Sequence, residues 1–345
     1  MQLSDAWMIF VFLALTMYIV LDGYDLGIGV LTLLDRDPGR RRDMHELVAW
    51  TWDGNESWLV LLALALWAGL PLVTGIALPA LYVVLVPMLW SLILRGLAIE
   101  LIDEHDGWHR VWGPAFSVGS LLVAFCQGAA FGGLLAGLPA SGSDFAGGPF
   151  TFLHHGYAVL TGLSAIALYV LAGCAWVYGK SDGELQLRVA RTGRLASVAL
   201  AVGTAASWSL LSSAGSATLH TGAGAAVPVW IAGAAVLAAG LVLVNRSFSA
   251  GRAFSAGRAG QRSAWAPAYA TLAVYGGGLL LAGGLLYPTL IPPHITVHAA
   301  ASPHTSLLFE VIGVGAMIPI VATYQIYAYW VFRGKVNVKR EARVT

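Results

Sequence analysis

Acidic side chains stand at two places where the surrounding sequence is strongly apolar. Trp50-Thr51-Trp52-Asp53-Gly54-Asn55-Glu56-Ser57-Trp58 places two carboxylates and an amide among three indoles, and it leads directly into the apolar run Leu59–Trp67. A second apolar segment, Leu21–Gly29, contains Asp22 and Asp25. Ionisable groups at membrane depth are costly and usually mark a route for ions or protons. These acids are therefore the first candidates for chemistry, and the chemistry they indicate is proton transfer.

The spacing of the acids places each pair on one helical face. Asp22 and Asp25 are three residues apart, as are Asp53 and Glu56, and residues three apart are neighbours on a helix. A structural interpretation remains open for both pairs. Asp53 can act as a cap, because a helix N-terminus stabilises a carboxylate, with Trp52 as an interfacial belt residue. The acids of the first pair can bond to neighbouring backbone in a packing helix.

Two further charged residues near the end of the third apolar run extend this set. Arg95 either reaches to the membrane surface along its aliphatic stem or pairs with one of the acids. Glu100 follows five residues later and is expected to complete the network. Glu310, in the last apolar run, is an isolated acid and a weaker candidate.

Glycines in the first apolar run predict a close helix crossing. Gly23 and Gly27 are four residues apart, and Gly29 follows. Small residues at this spacing let a second helix approach the backbone. We expect these three positions to lie in a helix–helix contact.

The composition identifies the class of protein that must hold these residues. Of 345 residues, 58% are hydrophobic and 11% are charged, whereas soluble domains carry about 25% charged residues. The mean hydropathy is +0.73. These values indicate a polytopic all-α membrane protein, and the net charge of +1 gives no indication of a nucleic-acid partner. Cys126 and Cys174 lie in apolar runs and cannot form a tetrahedral zinc site alone.

Nine apolar runs approach the length of about 20 residues that a spanning helix needs. We predict a single transmembrane domain over 1–345 with these spans: Trp7–Leu34, Ser57–Thr74, Ala77–Ile99, Pro114–Leu138, His155–Tyr178, Leu195–Ser212, Val227–Val244, Ala266–Leu290 and Leu307–Phe332. The first residues lack a basic segment, so no cleaved signal peptide is expected.

The basic residues predict the orientation in the membrane. All 19 Lys and Arg fall in alternate connectors, in the tail, or in a helix end that points to that side, and the other four connectors contain none. Because cytoplasmic loops carry an excess of Lys and Arg, the C-terminus is predicted to be cytoplasmic. Nine spans then place the N-terminus outside.

The histidines bear on cofactors. All nine lie in connectors or at the ends of the predicted helices, as His45 and His155 illustrate. A membrane cytochrome normally holds haem through axial histidines on helices. We therefore expect no haem and no metal in this chain.

The two acidic stretches also carry a family resemblance. Leu21–Gly29 and Trp52–Leu59 closely resemble the two signature stretches of subunit II of cytochrome bd-type quinol oxidases. Arg95 with Glu100 is similar to an Arg–acid pair in that family's third helix. The C-terminal region resembles the family's last outer loop, last helix and tail, through Tyr287-Pro288, Pro292, Thr296, Ala299, Ala300, Ser302, Pro303, Thr323–Tyr329 and Phe332–Val336. His298 departs from the pattern, because the family often has an acid there.

The resemblance implies a fold and a function. Subunit II of these oxidases has nine helices, in two four-helix bundles plus a peripheral helix, and pairs with a similarly folded subunit I. Subunit I carries the b haems, haem d and the quinol site, and the complex oxidises quinol and reduces dioxygen to water. A small single-helix accessory subunit and a structural quinone or lipid are compatible with the resemblance. The location implied is the bacterial cytoplasmic (inner) membrane.

The same resemblance implies a role for the charged residues. Subunit II contributes to the proton route from the cytoplasm, with this set expected here: Asp53, Trp52, Arg95, Glu100, Asp22, Asp25 and Glu56. Two other functions remain open on the residues alone. An ion-coupled transporter also uses intramembrane acids and glycine-interrupted helices, but the two halves show no matched pair of broken helices. A structural scaffold would use the acids only for capping and packing.

Overall fold

The computed structural model is built almost entirely of α-helices and describes residues 2–102, 109–213, 227–254, 264–292, 295–332 and 334. Its helices are α1 (Leu3–Leu34), α2 (Pro38–Glu46), α3 (Trp52–Gly69), α4 (Pro71–Leu101), α5 (His109–Ala136), α6 (Tyr157–Lys180), α7 (Gly183–Ser213), α8 (Val227–Phe254), α9 (Ala266–Leu286), α10 (Val297–Ala300) and α11 (His304–Val331). A 3₁₀ helix, Thr151–Gly156, precedes α6.

Eight helices in the described ranges are long and apolar enough to cross a membrane: α1, α4, α5, α6, α7, α8, α9 and α11. This confirms a multi-pass all-α membrane protein. Among the described helices of 18 residues or more, α3 alone falls short, because Asp53, Asn55 and Glu56 occupy its first two turns. Each of the nine predicted apolar runs lies largely on one helix, with α3 carrying most of the second run.

The break between α3 and α4 comes earlier than predicted. The second run was expected to continue to Thr74, but α3 ends at Gly69 and α4 begins at Pro71. Proline suits the first position of a helix, because the N–H that it lacks would be unsatisfied there in any case. Hydropathy does not reveal this boundary between α3 and α4, because the residues on both sides of it are apolar.

Two basic segments predicted as connectors are helical. Helix α7 begins at Gly183, twelve residues before the predicted start at Leu195, and α8 continues to Phe254 beyond the predicted end at Val244. An apolar run marks only the part of a helix inside the lipid. Charged turns continue the helix into the interfacial region, where hydropathy no longer reports it.

The connection after α1 is fixed by ion pairs. Arg40 donates two hydrogen bonds of 2.8 Å to the carboxylate of Asp35. These bonds hold the pKa of Asp35 below its ordinary value. Arg40 also lies 3.8 Å from the carboxylate of Glu184 at the start of α7. The basic segment of α2 is thus tied to two other helices on the side where the acids of α1 and α3 lie.

Helix α1 is the central element and packs against α3, α5 and α6. Its crossing with α6 admits no side chain at Gly27, because a Cβ there would lie 1.8 Å from the carbonyl oxygen of Tyr169. A Cβ at Gly23 would lie 2.5 Å from the hydroxyl of Tyr275, and one at Gly29 would lie 2.1 Å from a serine hydroxyl of α5. The structure thus places all three glycines singled out in the sequence at close contacts.

Two short hairpins close the opposite end of the molecule. Ala140–Ser141 pairs with Asp144–Phe145, and Thr289–Ile291 pairs with Ile295–Thr296. The segment after the second hairpin is anchored to α3, where the backbone N–H of Ser302 donates to the carbonyl of Gly69 at 3.0 Å.

Some predicted loops lie outside the described residues. These are the connector 214–226, most of the basic connector between α8 and α9, and the basic tail after residue 334.

Helix α11 lies at the edge of the bundle, against α1 and α3. Of its 28 residues only Leu307 and Gln325 are buried. Large apolar side chains such as Phe309 and Ile326 are exposed on the chain's own surface. Helix α11 is therefore positioned by a small number of specific contacts.

Candidate functional site

A buried ion pair links α1 and α4. Two guanidinium nitrogens of Arg95 donate to the two carboxylate oxygens of Asp22, at 2.5 and 3.0 Å, and both side chains are fully inaccessible to solvent. A bidentate pair of this kind is among the stronger hydrogen-bonded contacts in proteins. Of the two alternatives that the sequence left for Arg95, the structure shows pairing with an acid, and that acid is Asp22.

The second acid of α1 is held differently. One oxygen of Asp25 accepts a hydrogen bond of 2.7 Å from the side-chain amide of Asn55. Its other oxygen, Oδ1, has no hydrogen-bond partner among the described residues, although the side chain is fully buried. A buried polar atom without a partner is costly and calls for an explanation such as a bound proton or water. Asp25 is therefore the acid of this site whose hydrogen bonding is incomplete among the described residues.

Asn55 organises the residues around Asp25. Its amide nitrogen also contacts the hydroxyl of Tyr24 at 3.0 Å. Its carbonyl oxygen accepts from the amide of Gln325 at 2.5 Å and from the hydroxyl of Tyr329 at 3.0 Å. Asn55 thus connects α1 and α3 to α11, and it contributes both of its polar atoms to the network.

Aromatic side chains enclose this network. The ring of Tyr24 stacks on Trp176 of α6 with centroids 4.4 Å apart. Its hydroxyl bonds to the hydroxyl of Tyr329 and lies 3.2 Å from that of Thr51. Trp176 also meets Tyr329 edge to face at 5.8 Å. The polar groups are therefore surrounded by rings rather than by open solvent.

The acids of the site differ in burial, from an exposed residue to fully buried ones. Asp53 is exposed in the first turn of α3, and its carboxylate accepts from the N–H of Gly54 at 2.7 Å. Glu56, one turn further, is half-buried and close enough to Arg95 and Asp22 to interact electrostatically with both. This order provides an exposed group, an intermediate group and a fully buried pair.

Trp52 and Glu100 lie at the rim of the site. The ring of Trp52 packs on α4 so closely that a Cβ at Gly96 would lie 3.0 Å from it. Glu100 is exposed near the end of α4. Neither side chain forms part of the hydrogen-bonded network around Asn55 and Asp22 in the described residues.

A second buried polar chain extends from α1 towards α5 and α6. The amide nitrogen of Gln127 donates to the hydroxyl of Tyr18, and the hydroxyl of Tyr169 donates to the Gln127 carbonyl at 2.6 Å. The hydroxyl of Tyr275 faces Gly23 without a hydrogen-bond partner among the described residues. These groups lie within electrostatic range of Asp22.

Sequence reasoning missed Gln127, Gln325, Tyr24 and Tyr329, and it noted Asn55 only as an amide. The signal available for the two glutamines is an uncharged polar amide inside an apolar run. The signal for the tyrosines is weaker, because tyrosine is also common at membrane interfaces.

The arrangement can accept, hold and pass on protons. Its carboxylates differ in burial, and amide and hydroxyl groups adjoin Asp25 through Asn55. Within the described ranges, no group of three or more His, Cys, Asp or Glu is placed to hold a metal ion. The fold and the site thus define a multi-pass helical membrane protein with a buried network of ionisable and polar groups.

Comparison with known proteins identifies the family. Residues 3–332 match the family model for cytochrome bd terminal oxidase subunit II, and the chain belongs to that family. It is 26% identical to cytochrome bd ubiquinol oxidase subunit 2 of Bacillus subtilis over 358 aligned residues, 98% of each chain.

Two further comparisons agree. The chain is 31% identical over 199 residues to cytochrome bd-I ubiquinol oxidase subunit 2 of Escherichia coli K12, a match that covers 56% of this chain and spans about half, 52%, of that relative. The bd oxidase structure from Geobacillus thermodenitrificans superposes with a TM-score of 0.73 at 15% identity, covering 97% of this chain and all of that one. This structural match supports the fold.

Proposed function

We propose that this chain is the haem-free subunit of a quinol-oxidising, dioxygen-reducing complex of the bacterial cytoplasmic membrane. Membership of the subunit II family supports the proposal, as do the relatives named as ubiquinol oxidase subunits. The partner is a subunit I that carries the b haems and haem d, with a small accessory subunit as a further component. Those haems supply the electron-transfer and oxygen chemistry, and a structural quinone or lipid is an additional ligand of the complex.

The role of this chain is to conduct protons from the cytoplasmic side. Asp53 receives a proton at the exposed first turn of α3, Glu56 passes it inward, and Asp25 holds it in the buried network. Arg95 pairs directly with Asp22, while Trp52 and Glu100 line the entrance. The observation that carries this proposal is the unpartnered, fully buried oxygen of Asp25 beside the hub residue Asn55.

The electrostatics of the site support this assignment of roles. Asp22 directs both carboxylate oxygens at the guanidinium of Arg95. Asp25 faces the neutral amide of Asn55, and its other oxygen has no donor among the described residues. The two carboxylates, one turn apart, thus have different surroundings, and Asp25, whose Oδ1 is without a donor, is the proposed carrier.

The proposed architecture has nine spans, with α3 as the second. Eight helices meet the length and composition expected of a span, and α3 supplies the ninth with its polar first turns at the cytoplasmic boundary. The N-terminus is outside and the C-terminus is cytoplasmic, on the basis of the one-sided Lys and Arg. Helix α11, with its low burial, is the peripheral helix beside two four-helix bundles.

One observation favours a structural scaffold function over proton conduction. The Asp22–Arg95 pair joins two charged groups through two hydrogen bonds, as a structural pair would, although Nε of Arg95 has no hydrogen-bond partner among the described residues. It does not account for Asp25 or for the graded burial of Asp53 and Glu56, which packing alone does not require.

The experiment that tests the proposed function is purification of the complex that contains this chain. We expect haem d absorption only when a second large subunit is present, and quinol-dependent oxygen consumption by the same preparation. A chain purified to homogeneity without a haem-bearing partner, and active in ion-coupled uptake in vesicles, would establish a transporter instead.

A further inference from the structure

Lys180, the last residue of α6, lies at the end of a different helix. Its ammonium donates to the carbonyl of Phe332 at 2.7 Å and to that of Gly334 at 3.0 Å. Phe332 is the C-cap of α11, Gly334 lies two residues beyond it, and Lys180 is only 4% exposed. A buried lysine thus caps the last helix of the chain.

The surroundings compensate for burial of this cation. The last carbonyls of a helix lack intrahelical partners and carry partial negative charge, which a cation stabilises. The ammonium also lies 5.5 Å from the ring centroid of Trp176 and 6.0 Å from that of Trp265. Aromatic faces at about this distance attract a cation. Lys180 therefore contributes attraction at a point where α11 has little other packing.

The end of α11 matters because it carries two residues of the network. Gln325 and Tyr329 supply both donors to the carbonyl oxygen of Asn55. Tyr329 is three residues before Phe332, one turn from the carbonyl that Lys180 binds. The same Trp176 that lies beneath the Lys180 ammonium also contacts the rings of Tyr329 and Tyr24.

We propose that Lys180 is a positioning residue for the proton network. It holds the C-terminal turn of α11 against α6, so that Tyr329 and Gln325 fix the amide of Asn55 and, through it, the carboxylate of Asp25. The hydrogen bonds of Lys180 support its role in positioning α11 whatever the function of the protein. The expected effect of Lys180 on turnover rests on the proposed function.

Hydrogen–deuterium exchange on the intact complex tests the positional part. In Lys180→Met the stem is retained and the charge is lost, so we expect amides 328–332 to exchange at least about tenfold faster than in the wild type. Lys180→Arg should restore protection. The control Arg188→Gln, at an exposed residue near the start of α7, should leave this segment unchanged. Unchanged protection in Lys180→Met would overturn the proposal.

A second variant tests the same proposal if the complex with Lys180→Met is purified only in low yield. Lys180→Gln keeps a donor for one carbonyl and removes the charge, and it should also speed exchange at 328–332, by a smaller factor. Wild-type protection in Lys180→Gln, where that variant is the one recovered, would contradict a role for the charge.

Turnover tests the link from Lys180 to the network. Lys180→Met and Tyr329→Phe should each slow oxygen reduction per haem d. The double variant should be no slower than Tyr329→Phe alone, because both changes act on one arrangement. Losses that multiply in the double variant would show that Lys180 acts independently of Tyr329. A complex without oxidase activity would refute the proposed function, while the exchange experiment would still decide the role of Lys180.

Discussion

The guanidinium of Arg95 on α4 donates two hydrogen bonds to the carboxylate of Asp22 on α1, and neither side chain is accessible to solvent. Breaking such a buried pair by removing one partner costs about 3–5 kcal/mol, because a charge is left unpaired. This pair therefore fixes the distance between α1 and α4 at the depth where the other acids of the site lie.

Asp22→Asn should destabilise the complex strongly, because Arg95 would remain charged and buried without a counter-ion. We expect a loss on the scale of about 3–5 kcal/mol, seen as a large fall in the midpoint of thermal unfolding or in the yield of assembled complex. Asp53→Asn is the control, since its side chain is exposed. Equal stability of the two variants would show that the pair contributes little to assembly.

Gly27→Leu should prevent the crossing of α1 with α6, since even a Cβ at this position would lie 1.8 Å from the backbone of Tyr169. The yield of assembled complex measures the effect. Gly276→Leu is the matched control, because no atom lies within 4 Å of a Cβ built there. Normal yield of the Gly27 variant would mean that α1 and α6 do not cross as described.

Reporter fusions test the proposed orientation. A fusion after Thr345 should report a cytoplasmic location, and one inserted in the connector 214–226 should report the outside, because Lys and Arg are confined to the other side. The opposite location at either site would be incompatible with nine spans and this orientation.

Asp53→Asn tests the entrance of the route. Asparagine retains a side-chain oxygen that can accept from the N–H of Gly54, as Asp53 does, but it cannot carry a proton. We expect a complex with normal haem content whose oxygen reduction is at least about tenfold slower, since a positioned proton-transfer group contributes roughly 10²–10⁴-fold. Asp53→Glu should retain more activity than Asp53→Asn. A rate near that of the wild type in the asparagine variant would identify Asp53 as a cap only.

Much of the fold was predictable because one physical signal determines it. Membrane helices must bury every backbone polar group internally and present apolar side chains to lipid, so hydropathy located a helix for each predicted run. Hydropathy gave the wrong helix boundaries at Pro71 and Gly183, because it indicates which residues contact lipid and not where a helix begins. A helix that continues into the interfacial region, or breaks inside the lipid, leaves no mark in hydropathy.

The site was predictable only in its charged members. Asp22, Asp25 and Arg95 are conspicuous because a charge is rare in an apolar run. Their partners were not predictable, because pairing depends on which helices cross: Arg95 reaches Asp22 across 73 positions of sequence, and Gln325 reaches Asn55 across 270. Gln325 stands out only as a polar amide in an apolar run, and the contacts of Tyr329 and Lys180 are tertiary ones for which the local sequence carries no pattern.

The central claim is that the buried network carries protons, and Asp25→Asn tests it most directly. Asparagine retains an oxygen that can accept from Asn55, so packing and haem content should be preserved. The control is Glu310→Gln, which also neutralises an acid within a span but lies away from the network on α11.

The measurement is steady-state oxygen reduction by the purified complex, normalised to haem d. The account predicts at least about a tenfold loss for Asp25→Asn and a normal rate for Glu310→Gln. An Asp25→Asn complex that reduces oxygen at full speed would contradict it.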